Sequence, residues 1–286
     1  MPATYAHYTF GNDCFNALPD NLKTIVSEHR SLFNFGVHGP DILFYDLANS
    51  KITNYGYGMH GKPAMNFFAP MKDIFKQHQE DRDAMLAYVI GFVSHFSFDT
   101  CSHGYVERKM EVSNVSHNRI ETEYEKYLMI KDGKDITKEN RASTLKPTKY
   151  TSKIISYFFP FDEKSIYKTT KMQKFLVSSL TTKNELNHAL MVKTLNKLSA
   201  NIFVDLIADK KDYEECKDSN IRFDKYRQIA LPVFNKLALN LINYIDGKEE
   251  LNKFFENTFG PWPNYKDIPV LSYEEELKYK LKPHKI

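Results

Sequence analysis

The stretch His95-Phe-Ser-Phe-Asp99-Thr-Cys-Ser-His103 decides how this chain is read. Two imidazoles and a carboxylate recur every fourth residue, and on a helix that spacing stacks all three on one face. The flanking residues predict a long helix from Asp81 to about Lys109. Tyr88, Val89, Phe92, Val93 and Phe96 make it apolar on nearly every side. Such a helix forms the centre of a core, so the polar row is expected inside the protein. Polar groups buried without partners are costly. Either the row closes into a hydrogen-bonded set, or its three ligand-capable groups share a common partner, a metal ion.

Working outward, a second pair four residues apart, His117 and Glu121, follows fourteen residues after His103 on a further predicted helix from His117 to about Ile130. Ten His and 36 acidic residues in 286 produce a random His-x3-acid-x3-His roughly 4% of the time. A lone His-x3-acid pair is expected about once by chance, and read alone it is an ordinary helix-surface pair. The two together, close in sequence, point to a metal site. Glu107 extends the first face by one more turn, as a ligand, as a residue orienting His103, or as a solvated helix end.

Toward the N-terminus, Asp41 follows Gly39-Pro40 in a predicted loop, and His60 lies in the Gly-rich Tyr57-Gly-Met-His60-Gly. Read alone, an Asp in that setting caps a helix. His38 has no partner at a defined spacing and reads as a loop residue. His7 lies close to the chain start. Met1 precedes Pro2, a context that favours loss of the initiator methionine and leaves the Pro2 amine five residues ahead of His7.

The bulk properties narrow the classes. Hydrophobic content of 42% and aromatic content of 14% support a sizeable core, and the net charge is only +3 with both signs interspersed. No dedicated nucleic-acid surface is evident. Cys14, Cys101 and Cys216 form neither a disulfide framework nor a Cys-x2-Cys thiolate site, so a metal here takes His and carboxylate ligands, which suits Zn²⁺. The first residues show no basic region followed by an apolar one, and the longest apolar run, Ala84 to Phe92, is too short for a membrane span. A cytoplasmic protein without an integral membrane segment is the expectation.

The rest of the pattern is helical. Helices are expected at Asn21–Arg30, Met65–Gln77, and at about 167–181, 184–208, 220–246 and 249–257. Asp218-Ser219 would cap the 220–246 helix and Pro232 would kink it. Residues 133–150 read as a polar surface excursion and 260–286 as a loose tail. No strand alternation and no internal repeat is present. The expectation is a single all-α domain, residues 1–286, with a metal-binding half over 1–130, a helical half over 151–258, and a metal cleft between core helices.

Laid out in order, these residues resemble the zinc-dependent phospholipase C family, which is related to the S1/P1-type nucleases. The family pattern is an N-terminal residue chelating through its amine and carbonyl, an early His, a loop Asp, a His, then His-x3-Asp, a further His, and His-x3-Glu/Asp. Pro2, His7, Asp41 in Gly-Pro-Asp-Ile-Leu-Phe-Tyr, His60, His95 with Asp99, His103, and His117 with Glu121 match that series over about residues 1–130. Secreted members begin with Trp, where Pro2 stands here, and several have a longer gap before the third His. The resemblance implies up to three Zn²⁺ ions. One would take Asp41, His60, His95 and Asp99. A second would take the N-terminus and His7, with Asp99 bridging. A third would take His103, His117 and Glu121. It also implies a phosphodiester substrate of phospholipid or nucleotide type, attacked by a water acidified to a pKa of about 7, with Asp41 orienting or deprotonating that water. Tyr57, Phe67 and Phe68 flank His60 and would contact the head group, although aromatics at such spacing are more often core. Two other readings stand beside this one: a nuclease or nucleotidase on the same tri-zinc scaffold, and a metal-stabilised binding protein without activity.

Overall fold

The computed structural model describes residues 3–46, 49–181, 185–197, 204–208 and 211–283. Its regular elements are all helical. Among the described residues the only extended pairing is an isolated bridge between Pro63 and Thr258.

The centre is a 32-residue helix, Arg82–Ser113, labelled α7 here, after α1 (Thr4–Ala17), α2 (Asp20–Glu28), α3 (Arg30–Gly36), α4 (Ser50–His60), α5 (Met65–Phe68) and α6 (Met71–Gln77). Every residue of α7 from Ala84 to Val106 is buried. By length and composition the stretch Gln79–Ser113 could cross a bilayer, but its apolar window is wholly buried inside the protein. It is a core helix, as its all-round apolar pattern requires. The single helix expected over Met65–Gln77 is split into α5 and α6 because Pro70 lies between them and has no amide hydrogen to continue the first helix.

Two contacts bring the loop after α3 over α7. At the crossing, Gly36 faces Gly91. A Cβ on Gly36 would lie 2.1 Å from the Tyr88 carbonyl oxygen, and one on Gly91 would lie 2.5 Å from the Phe33 carbonyl oxygen. Only glycine at both positions lets the two backbones approach so closely. The chain then continues as a 3₁₀ segment, Gly39–Tyr45, where a loop was expected. Gly39 has φ of +50°, and a Cβ there would sit 2.1 Å from the His95 ring. Asp41 is thereby carried to the polar row of α7.

Helix α7 ends at Asn114, a left-handed residue (φ 56°), as helix C-termini often do. Ser116 caps α8 (His117–Lys131) by accepting the Arg119 amide hydrogen. The tight turn returns α8 against α7 and sets His117 beside His103, ring centroids 5.3 Å apart. Beyond it lie α9 (Lys149–Ser156), α10 (Glu163–Ser179), α11 (Glu185–Lys197), α12 (Lys217–Ile245) and α13 (Tyr273–Lys278). Of the helix expected at 184–208, α11 covers Glu185–Lys197, and residues 184 and 198–203 lie outside the described residues.

Several expectations are corrected. The N-cap of α12 is Cys216, without a side-chain cap bond, and Asp218 is buried against Lys109 instead. The stretch 249–257 holds only a 3₁₀ turn, Lys253–Glu256. Within 133–150, Arg141, Ala142 and Leu145 are buried, and Arg141 binds the buried Glu125 at 2.5 Å. The tail is docked rather than loose over its described part: Glu276 is fully buried and paired with Arg222, and Trp262 donates to Thr100. A charged pair of that kind is visible only once the fold places residues 54 positions apart together.

Candidate metal centre

His95, Asp99 and His103 project from one face of α7 and are all buried. Four elements deliver the remaining groups to them: α1 brings His7, the 3₁₀ segment Asp41, α4 His60, and α8 His117 and Glu121. His60 ends a helix rather than sitting in a loop, because Gly56 and Gly58 are accommodated inside α4. Three groups of donor atoms result, each with all members within 4.8 Å of one another: His7, His95 and Asp99; Asp41, His60 and His95; and His103, His117 and Glu121. His95 falls in two of them.

Asp99 is the hub. Its Oδ1 lies 3.3 Å from His7 Nε2, and its Oδ2 lies 3.0 Å from His95 Nε2, 3.8 Å from His103 Nδ1 and 3.9 Å from His60 Nε2. The two carboxylate oxygens thus face different groups. His60 Nε2 lies 3.1 Å from Asp41 Oδ1. Glu121 Oε1 lies 2.8 Å from His117 Nε2 and 3.5 Å from His103 Nε2.

Two of the imidazoles are aimed by backbone carbonyls. His60 Nδ1 bonds the Gly56 oxygen at 3.1 Å, and His103 Nδ1 bonds the Phe259 oxygen at 2.7 Å. In a neutral ring that donation puts the lone pair on Nε2. The Nε2 lone pair of His60 then faces a carboxylate oxygen of Asp41, and that of His103 faces Glu121. Two acceptors face each other in both cases, so a proton or a cation belongs between them. Further polar atoms in the same region, His7 Nδ1, both ring nitrogens of His95 and Asp99 Oδ2, are buried and make no hydrogen bond. Buried groups left this way cost about 1–3 kcal/mol each, more for a charged one, unless a further partner satisfies them.

The protonation behaviour has the same origin. Burial, and then neighbouring His95, lower the His7 pKa to about 4. Burial lowers His38 to about 3. His103 goes the other way, to about 9, because Asp99 and Glu121 outweigh the penalty of burial. Burial opposes ionisation of Asp41, yet the charge of the N-terminal amine, and then the His60 and His95 imidazoles, hold it at about 2. Asp99 is held well below the usual carboxylate range, against burial, by His103, His95 and His7, and Glu121 by the charge of the N-terminal amine and then by His117 and His103. A cluster that keeps three buried carboxylates ionised and one imidazole charged carries an excess of negative charge that a cation would balance. Neutral imidazole and carboxylate are the donors Zn²⁺ takes, so the residues fit that ion.

Beside these groups lies a cleft of about 490 Å³. Phe44 and Tyr57 form one wall, with rings stacked 4.2 Å apart, and Tyr57 is half exposed. Glu107, Met110, Asn118, Asp205 and Gly260-Pro261 complete it, with His60, His103 and His117 opening into it. Glu107 therefore lines the cleft; the orienting partner of His103 is the Phe259 carbonyl. Phe67 and Phe68 do not reach this space. Phe67 stacks on Phe92 at 3.9 Å and Phe68 packs against Phe255 at 4.4 Å; both are core. Pro2 lies outside the described residues. The sequence reading missed Phe44, Asp205 and the Phe259 to Pro261 segment. Phe44 had a signal, since it follows Asp41 in the same segment; the others are brought in from 84 or more residues beyond Glu121 and had none.

A sequence model for zinc-dependent phospholipase C matches residues 6–259. Searches of curated proteins and of solved structures returned no significant match. The family match spans the whole donor cluster as well as the Phe259 carbonyl that orients His103, and it reaches well past the first 130 residues, so the chain belongs to the zinc-dependent phospholipase C family.

Proposed function

We propose that this protein hydrolyses a phosphodiester of phospholipid type, releasing a phosphorylated head group. The observation that carries the choice of substrate is the lining of the cleft. Among the described residues it contains no Lys or Arg; its charged groups beyond the histidines are Glu107 and Asp205, and Phe44, Tyr57, Met110 and Pro261 supply apolar surface. A nucleic-acid strand needs a cationic track along its backbone, and two carboxylates at the rim repel one. A single phosphodiester joined to apolar chains meets no such repulsion.

The ligand sets proposed for zinc are Asp41, His60, His95 and Asp99; the N-terminus and His7 with Asp99; and His103, His117 and Glu121, for up to three ions. The third coincides with one of the three donor groups, and the side chains of the others are spread over the two that share His95. Bound zinc supplies a water acidified toward neutrality and positive charge to offset that developing on the phosphate. The chain does the rest by holding these groups still. The Gly56 and Phe259 carbonyls fix the rings of His60 and His103, and Asp99 ties four imidazoles into one unit. Asp41, kept ionised, accepts a hydrogen bond from the attacking water and aligns it. Tyr57 and Phe44 form the wall on which the substrate packs as it enters.

The test is a substrate panel with zinc-reconstituted protein: phosphatidylcholine in mixed micelles, bis(p-nitrophenyl) phosphate, and single-stranded DNA. Diacylglycerol release and cleavage of the small diester, with DNA left intact, are expected. Faster hydrolysis of DNA than of lipid would replace this reading with a nuclease. Zinc uptake with no hydrolysis in any arm would leave a metal-stabilised binding protein.

A further inference from the structure

Three of the most solvent-exposed large apolar side chains of the described residues lie on consecutive helices: Phe175 (65% exposed) on α10, and Leu186 (84%) and Leu190 (65%) on α11. Single exposed hydrophobics need no explanation, but these are neither single nor randomly placed. Phe175 continues the outer stripe of α10 that begins with Lys164, Lys168 and Lys171, spaced four, three and four residues apart. The opposite face, with Ile166, Thr169, Thr170, Gln173 and Val177, is buried. Leu186 and Leu190 lie one turn apart on the exposed side of α11, followed by the exposed Lys193. Over its length α10 carries four lysines against one glutamate.

We infer that the outer faces of α10 and α11 are an interfacial surface that docks this protein on an anionic lipid bilayer. The chemistry on both sides matches. Exposed Phe and Leu gain by entering the boundary between head groups and acyl chains, and lysines beside them meet negative lipid. A protein partner has no equal claim, because lysines are depleted in protein interfaces. The position is also apt. Helix α10 packs on the segment that carries Asp41: Thr169 Oγ1 donates to the Ile42 carbonyl at 2.8 Å and Lys168 binds Asp46 at 2.9 Å. Past α11 the chain comes back to the rim of the cleft at Asp205, which binds Arg119 at 3.1 Å. The surface is separate from the metal cluster, so docking does not depend on the proposed reaction.

The experiment is vesicle sedimentation at low and high salt, with phosphatidylcholine vesicles and with vesicles that also contain phosphatidylserine. The proteins compared are the wild type, a triple variant Phe175→Ser, Leu186→Ser and Leu190→Ser, and a second variant Lys164→Gln, Lys171→Gln and Lys193→Gln. Wild type is expected to sediment with anionic vesicles and to be released by salt. Each variant should bind at least about tenfold more weakly, with unchanged circular dichroism and unchanged hydrolysis of the water-soluble bis(p-nitrophenyl) phosphate. Equal sedimentation of all three proteins, or no sedimentation of the wild type, overturns the inference. So does a wild-type dimer that ignores vesicles and that the serine variant dissociates, because a second copy would then be the occupant. Vesicle binding by a protein that hydrolyses no diester would refute the proposed function and leave this surface standing.

Discussion

Helix α7 buries two sets of charged groups, and they differ in kind. Near its C-terminal end, Lys109 Nζ binds both oxygens of Asp218 at 2.8 Å and Tyr105 donates to the same carboxylate. Arg222 beside them forks onto Glu276 at 2.8 and 2.6 Å, with the rings of Tyr105 and Tyr279 over its two faces. Each cation there binds a carboxylate, with Lys225 sharing Glu276 at 2.7 Å, and in that sense the set is closed, although Arg222 Nη1 makes no hydrogen bond. Earlier on α7, the cluster around Asp99 brings carboxylates and imidazoles together with no Lys or Arg among the donors, and the one charged imidazole, His103, does not balance three carboxylates. A buried network that serves the fold completes its own charge balance; one that serves a ligand leaves it open. Telling the two apart needs the geometry, because both appear in sequence as polar residues at helical spacing.

The contrast predicts a crossed pattern of defects. Asp99→Asn removes the charge shared by four imidazoles. Zinc should be lost and diester hydrolysis should fall more than about 100-fold, beyond what loss of an outer-sphere partner causes, while the zinc-free protein stays folded. Normal zinc and turnover in that variant would end the role of Asp99 as hub. In the closed set the effect should be the reverse. Glu276→Gln strands Arg222 in the core and should cost about 3–5 kcal/mol in urea unfolding, with zinc per folded chain unchanged. The double variant Arg222→Met with Glu276→Leu should recover most of that loss. Failure to recover would mean that the pair does more than balance itself.

A finer probe concerns how the open set is supported. Gly39→Ala forces a Cβ toward the His95 ring at a positive φ. Zinc affinity should drop about 10- to 100-fold, whereas Gly58→Ala, with no atom within 4 Å of the new carbon, should leave it unchanged. Equal affinity in both variants would show that the 3₁₀ segment does not set the position of His95.

The smallest effect separates two histidines within the open set. His103, raised to about 9, holds a proton at neutral pH in the zinc-free protein, and His7, lowered to about 4, does not. Zinc binding at the His103 group should therefore release about one proton at pH 7, read by calorimetry in buffers of different ionisation enthalpy. A group whose folded pKa lies above its ordinary value stabilises the fold fully below that ordinary value, here 6.5, and ceases to as pH rises through about 9. The zinc-free protein should lose thermal stability over that window, and the zinc-loaded protein should not. Parallel curves would remove His103 as the distinguishing proton.

These tests follow the line between what could be read from the chain and what could not. The row on α7 and the pair on α8 were legible because four-residue spacing is local and an all-round apolar helix can only be central. Asp41 and His60 were legible as residues but not as structure: the Gly-rich run around His60 suggested a loop, while packing holds it as a helix. Phe67 and Phe68 misled, since their spacing serves the core equally well. The tail was opaque for a plain reason. Its order rests on Glu276 meeting Arg222 and on Trp262 meeting Thr100, contacts across 54 and 162 residues that leave no periodic mark. The Phe259 carbonyl is a backbone atom and carries no sequence signal at all.

The account stands or falls on whether the lone pairs around Asp99 hold metal. Elemental analysis of the purified protein, dialysed against zinc and then against metal-free buffer, measures that directly, with Asp99→Asn and Glu276→Gln run beside it. The account predicts zinc retained by the wild type and by folded Glu276→Gln, at up to three ions per chain, and depleted in Asp99→Asn. Wild-type protein that emerges folded and free of zinc would contradict it.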